Sequence, residues 1–319
     1  MICNTDVEAI FSPSALSLYL SHATLACLMV VITITLNSTF IATMLFQKTG
    51  QRSISNKLLM TLSVIDLLIG ALVWPLVAAF SFKIYSIDVS SCDFINATIF
   101  LGYQFSMLTL CVIFLVALDQ YLAILHPYFY ISKVTYPRFI WPMIGINSLL
   151  LLFSIIVKIK FQKIWINSVQ IVFLPIAIVI VASLIYVYRK VVVCVSRITK
   201  DINSTNKEEG RQIKSRAKAA KSSLIILIGT LICYLPVICY NIYVRVRGQT
   251  SYGVTFIGYP SQIMGLFTSV IDPAVYYWRL STLRKATKNM FSSICKKKNQ
   301  VRSVPGAHKQ HSIVDKRDS

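Results

Sequence analysis

Acid is scarce in this chain: 12 Asp and Glu stand against 32 Lys and Arg, a formal net charge of +20 over 319 residues. No acid occurs from Phe94 to Leu118. Histidine is scarcer still. The four (His22, His126, His308 and His311) are scattered, so the clustered ligands that a metal-dependent membrane hydrolase needs are missing. No cysteine lies between Cys111 and Cys194, which leaves that stretch without a disulfide partner. The first twenty residues lack a basic start and a small-residue cleavage site. The expectation is therefore no cleaved signal peptide and a first span that acts as its own anchor. The two halves show no inverted repeat, which argues against a transporter.

What is abundant is apolar sequence. Hydrophobic residues make up 55% of the chain and mean hydropathy is +0.66, above the roughly 45–50% apolar content of soluble domains. Runs long enough for a ~30 Å hydrocarbon core centre near Val31, Leu68, Met107, Leu150, Ile178, Ile228 and Leu266. The predicted spans run over about 18–46, 56–82, 92–125, 139–159, 167–188, 222–244 and 252–278. Seven crossings put the termini on opposite sides. Of the 32 basic residues, 26 fall in the loops on one side and the C-terminal tail, and six on the other. Basic loops stay cytoplasmic, so the N-terminus is expected outside, in a multi-pass protein of the cell membrane. The charge then forms a cytoplasmic rim against anionic lipid, not a nucleic-acid surface. The chain divides into an extracellular tail 1–15, a bundle 16–278, an amphipathic membrane-surface helix 279–295 and a basic cytoplasmic tail 296–319. In the surface helix, Leu280, Leu283, Met290, Phe291 and Ile294 stand among basic residues. Cys295 at its end is a palmitoylation candidate. Cys27, Cys111, Cys233 and Cys239 fall within spans and read as packing residues, while Cys3 and Cys92 face outward. The sequons at Asn37, Asn96 and Asn203 fall inside helices or on the inner side, so none is expected to carry glycan.

Polar groups and prolines inside apolar spans are costly, so they are the informative positions. In order they are Asn37, Asp66 after Leu62, the stretch LDQYLAILHPYFY from Leu118 to Tyr130, Trp141, Pro175, CYLP from Cys233 to Pro236, and DPAVY from Asp272 to Tyr276. Each falls on its own span. Together, from about Leu18 to Cys295, they resemble the rhodopsin-like G-protein-coupled receptors. Asp119, Tyr121, Ala123, Ile124 and Pro127 match that family's D-R-Y-x-A-I-x-x-P, with Gln120 in place of its arginine. Tyr234 replaces the tryptophan of its C-W-x-P hinge, and Thr230 stands where phenylalanine is usual. Ser183 stands where a tyrosine that supports the active state is usual, with Tyr186 and Tyr188 nearby.

The resemblance implies an all-α membrane protein, a seven-transmembrane helix bundle with an amphipathic helix after the seventh span. It implies a receptor, not an enzyme, that transduces an extracellular ligand to a heterotrimeric G protein. It implies that Asp66 and Asp272 approach each other, with Thr109 and Ser269 beside them. Such hard oxygen ligands suit a sodium ion, and two neighbouring carboxylates also suit one shared proton. Both readings stay open. The implied activation switch is Asp119, Gln120, Tyr121, Tyr234, Pro236, Pro273 and Tyr276. Gln120 can hydrogen-bond Asp119 but carries no charge, so weak or altered G-protein coupling is expected, and Asp119–Arg216 is a conceivable substitute pair. The alternative is a receptor-fold ligand-binding or scavenger protein with weak or no coupling. By family position the pocket would use Tyr103, Ser106, Asn167, Asn241 and Gln262, each of which reads equally as a helix–helix hydrogen bond. Gly102 lies where amine receptors carry an aspartate, and Leu266 where opsins carry the retinal lysine, so neither a monoamine nor retinal is expected. Outer Lys158, Lys160, Lys163, Arg245 and Arg247 suit steering of an acidic ligand or contact with headgroups. The family's bridge from the third helix to the second outer loop has no partner there, and a Cys3–Cys92 bridge remains open.

Overall fold

The computed structural model describes residues 12–46, 53–86, 92–160, 165–201, 207–248, 253–279, 283–290 and 292–293. Among the described residues all regular structure is helical. Six helical segments among the described residues are long and apolar enough to cross a membrane: Pro13–Phe46, Ile54–Tyr85, Asn96–Leu125, Tyr136–Lys160, Ser168–Arg197 and Ile228–Arg247. These carry the first six spans. The first helix starts at Pro13, inside the stretch read as an outer tail, and buries Ala15 and Tyr19.

The seventh span is not one uniform helix. It is a π-helical turn Val254–Gly258, a helix Tyr259–Leu266 and a second helix Thr268–Arg279. Together they cover roughly 39 Å at 1.5 Å per residue, enough to cross a bilayer. Side-chain hydroxyls explain the break. Thr268 donates to the Gly265 carbonyl at 3.0 Å and Ser269 to the Leu266 carbonyl at 2.8 Å, while Phe267 N–H turns to Met264 O, three residues back, at 3.1 Å. Ser and Thr compete for backbone groups in this way.

Proline sets the local geometry elsewhere. Pro75 has no N–H for the carbonyl four residues back, and a π-turn, Ile69–Val73, lies just before it in the second span. Gly70 in that turn admits the first span: a β-carbon there would lie 2.9 Å from Thr33 Cγ2. Pro273 likewise frees the Ser269 carbonyl, and Asn37 Nδ2 of the first span donates to it at 3.0 Å. Asn37 is wholly buried, and this bond ties the first span to the seventh.

The main core joins six spans through Phe40, Leu62, Trp74, Val112, Ile113, Met143, Leu184 and Leu266. The outer wall is apolar in return: Leu28 is 61% exposed and Val31 65%. Apolar groups all round a helix mark a lipid-facing bundle. Two cysteines read as packing residues, Cys27 and Cys239, are in fact exposed on that wall, whereas Cys233 is buried. Trp141 is also exposed.

The inner loops hold more helix than expected. Pro127–Lys133 forms a short helix with proline in its first turn. The third inner loop is largely extension of the fifth and sixth spans, to Asp201 and from Lys207. Lys, Arg, Ala and Gln are strong helix formers, which suits the helical run from Arg211 into the sixth span. Within the expected surface helix, residues 283–290 are helical and bury Leu283, Ala286 and Met290. Thr287 and Thr43 hydroxyls meet at 3.1 Å, and Arg284 donates to the carbonyls of Tyr277 and Trp278, which ties this helix to the first and seventh spans.

Candidate functional site

Three polar levels lie along the bundle. At the end far from Asp119, two adjoining chambers share a wall. The first, of ≈ 90 Å³, lies among Val77, Phe80, Ile99, Tyr240, Tyr259 and Gln262. The second, of ≈ 40 Å³, lies among Ser106, Met107, Phe173, Tyr234 and Val237. Tyr103, Gln170, Asn241 and Gln262 line both. The Tyr103 hydroxyl donates to Asn241 Oδ1 at 3.1 Å and accepts from Gln170 Nε2 at 3.0 Å and Gln262 Nε2 at 2.9 Å. One proton given and two lone pairs filled saturate a phenol oxygen. The hub therefore joins the third, fifth, sixth and seventh spans through one atom. Asn241 is oriented from behind by its own helix, donating to the Val237 carbonyl at 2.7 Å.

Of the pocket residues expected from sequence, Tyr103, Asn241 and Gln262 meet in this hub, and Ser106 lines the inner chamber. The side chain of Asn167 lies outside the described residues. Gln170 was missed; it sits three positions after Asn167, on the same helical face, which was a usable signal. The aromatic floor is close-fitted. Gly258 lies against Tyr240, where a β-carbon would come within 2.3 Å of the ring. Tyr259 stacks near Tyr19, His22 and Phe80 with ring centroids 5.0–5.5 Å apart, and it shares a hydrogen bond with Ser81.

At mid-depth, Tyr234 donates to the Ser106 carbonyl at 3.2 Å. Beneath it, Asp66 and Asp272 are both wholly buried and within electrostatic reach of each other. Among the described residues neither carboxylate has a hydrogen-bond partner on either oxygen, and the buried Thr109 and Ser63 hydroxyls and Asn37 Oδ1 have none either. Ser269 differs from the other expected ligands, because its hydroxyl donates to Leu266 O and accepts from Trp74 Nε1 at 3.3 Å. Bare buried acids are rare because desolvation is costly. Two carboxylates and nearby hydroxyls have the hard-oxygen chemistry of a sodium site, and they fit equally a pair that holds one proton.

At the other end, Asp119 is wholly buried and fully engaged. Ser55 and Gln120 Nε2 (3.4 Å) donate to Oδ2, and Tyr130 donates to Oδ1 at 2.8 Å. Gln120 Nε2 also reaches Ser55 Oγ at 3.3 Å. Every one of these donors is neutral. Ser55 and Tyr130 were not anticipated; they come from the second span and the short inner helix, and only the fold brings them to Asp119. The side chains of Arg216 and Tyr276 lie outside the described residues, as do Cys3, Cys295 and the side chain of Cys92. Of the two tyrosines near Ser183, Tyr188 is buried and Tyr186 is exposed beside Lys190.

Residues 36–276 match the sequence profile of the seven-transmembrane receptors of the rhodopsin family. No curated protein matches the chain. Among solved structures, that of squid rhodopsin superposes with a TM-score of 0.71 at 14% identity, covering 92% of this chain and 94% of that one. The chain belongs to the rhodopsin family of seven-transmembrane receptors, and the squid structure shares its fold.

Proposed function

We propose that this rhodopsin-family chain is a G-protein-coupled receptor of the cell membrane, with its N-terminus outside and its C-terminus in the cytoplasm. It binds a small extracellular ligand in the chambers around Tyr103 and passes the event to a heterotrimeric G protein. One observation carries this reading: Tyr103 and Tyr234 line the same inner chamber, and Tyr234 lies two residues before the helix-kinking Pro236. Whatever enters that chamber presses on the hinge of the sixth span. Outward motion of that span would open the face on which Asp119, Gln120 and Tyr121 stand. Asp66, Thr109 and Asp272, with Ser269 at the edge, hold either a sodium ion or one proton in the resting state, and losing it accompanies activation. Membrane lipids meet the basic inner rim.

A second reading, a receptor-fold binder that captures ligand without coupling, is favoured by Gln120. That residue leaves the motif without a cation, and Asp119 is already satisfied by neutral donors. The two separate in cells that report G-protein activation, wild type beside Gln120→Arg, across a broad ligand panel. Signal from wild type supports the receptor. Silence that Gln120→Arg reverses supports the binder with an attenuated switch. Silence from both, with protein at the surface, places the ligand outside the panel and separates neither reading.

A further inference from the structure

We propose that the chambers around Tyr103 take an uncharged ligand that carries one group able both to donate and to accept a hydrogen bond, seated among Gln170, Asn241 and Gln262. The inference rests on these chambers being the ligand site and goes on to the ligand's chemical class. Among the described residues neither chamber has an Asp, Glu, Lys, Arg or His on its wall. Arg245 stands one turn beyond Asn241 and its charge reaches the Tyr103 hydroxyl, but it is exposed and lines neither chamber. A cationic ligand placed there would lose its water without meeting a counter-charge, and an anionic one would meet only the water-screened charge of Arg245, so both are unfavourable.

The polar groups that are present are amides plus the Tyr103 hydroxyl, and their geometry is specific. The Tyr103 oxygen is saturated by its three bonds. Beyond those bonds each glutamine amide offers a carbonyl oxygen and a second N–H. A ligand group that can both give and take a proton bond, such as an amide or a hydroxyl, can replace the phenol at the centre of these side chains. A group that only accepts or only donates leaves at least one of them unpaired at that centre, and an unpaired buried polar group is costly. The flanking walls are apolar and aromatic (Phe80, Tyr240 and Tyr259 in the outer chamber, Phe173 in the inner), so the rest of the ligand is an apolar, ring-sized body. Because the hub separates the chambers, such a ligand parts Tyr103 from Asn241 as it reaches the wall that holds Tyr234.

The test uses the purified full-length receptor and three probes with one frame and different charge: phenylacetamide, phenylacetate and phenethylamine. Saturable thermal stabilisation by phenylacetamide alone is expected. Gln262→Leu, checked for folding by its own melting transition, is expected to weaken that binding about tenfold, the equivalent of one good hydrogen bond. Gln262→Glu, which keeps the shape and adds a charge, is expected to lose phenylacetamide and gain phenethylamine. Binding of either charged probe to wild type as tightly as the amide overturns the proposal. So does unchanged amide binding to Gln262→Leu, or no amide binding at millimolar concentration. No G protein takes part, so a failure of coupling leaves this result standing, and a failure here leaves coupling standing.

Discussion

Asp119 and the pair Asp66–Asp272 are chemically alike and equally buried, yet the protein treats them in opposite ways. Asp119 receives neutral donors on both oxygens from the second span, the third span and the short inner helix. Asp66 and Asp272 receive none from the described residues. A carboxylate that the fold satisfies is part of the resting architecture: it can be released only by breaking bonds. A carboxylate pair that the fold leaves bare depends on something that comes and goes, a cation or a proton. The inner site is thus built as a latch and the middle site as a socket.

The largest effect should come from filling or removing the socket. If sodium fills it, melting in sodium chloride should exceed melting in choline chloride by about 2–3 kcal/mol of stabilisation at roughly a hundred times the dissociation constant. Asp66→Asn and Asp272→Asn should each abolish that difference. If one proton fills it, stability should ignore sodium, and Asp66→Asn should be nearly silent, because a protonated acid and an amide are close isosteres. A sodium response that survives both substitutions would remove these residues from the site.

The latch should be next in size. Tyr130→Phe and Ser55→Ala each delete one donor to a buried carboxylate, and hydrogen bonds to charged groups contribute about 1.5–3 kcal/mol. Both variants should melt earlier and show raised ligand-independent G-protein activation, the double variant more than either. Lower stability with unchanged basal activation would make these contacts structural only, without a part in the switch.

The contrast between socket and latch also marks what could be read from the sequence. Asp66, Asp272 and Asp119 stood out there because an acid in an apolar run is expensive wherever it points. The prolines were equally visible, and proline chemistry alone frees the Ser269 carbonyl before Pro273, but only the fold brings Asn37 to it. Ser55 and Tyr130 carry no such signal: a serine at a helix start and a tyrosine in a loop are unremarkable until the fold sets them beside Asp119. Gln170 did carry one, its place on the same helical face as Asn167, but its bond to Tyr103 came only once four spans converged there. The break after Leu266 was hidden for another reason. Hydropathy records that a segment is apolar, and it does not record that Thr268 and Ser269 turn their hydroxyls onto the backbone.

Tyr234 offers the smallest effect and the control for the others. Its hydroxyl donates to the Ser106 carbonyl at 3.2 Å, but that carbonyl lies inside the Cys92–Leu125 helix, where the backbone N–H one turn on already supplies a partner. Removing the phenol leaves no orphaned acceptor, so Tyr234→Phe should cost only about 0.5–1.5 kcal/mol, the net worth of a neutral hydrogen bond. The ring stays in place, so the lever beside Pro236 keeps its bulk and ligand-driven activation should persist. A loss of stability as large as that of Tyr130→Phe would mean that the phenol also supports the Asp66–Asp272 level below it, and the division between a satisfied latch and a bare socket would then have to be redrawn to include Tyr234.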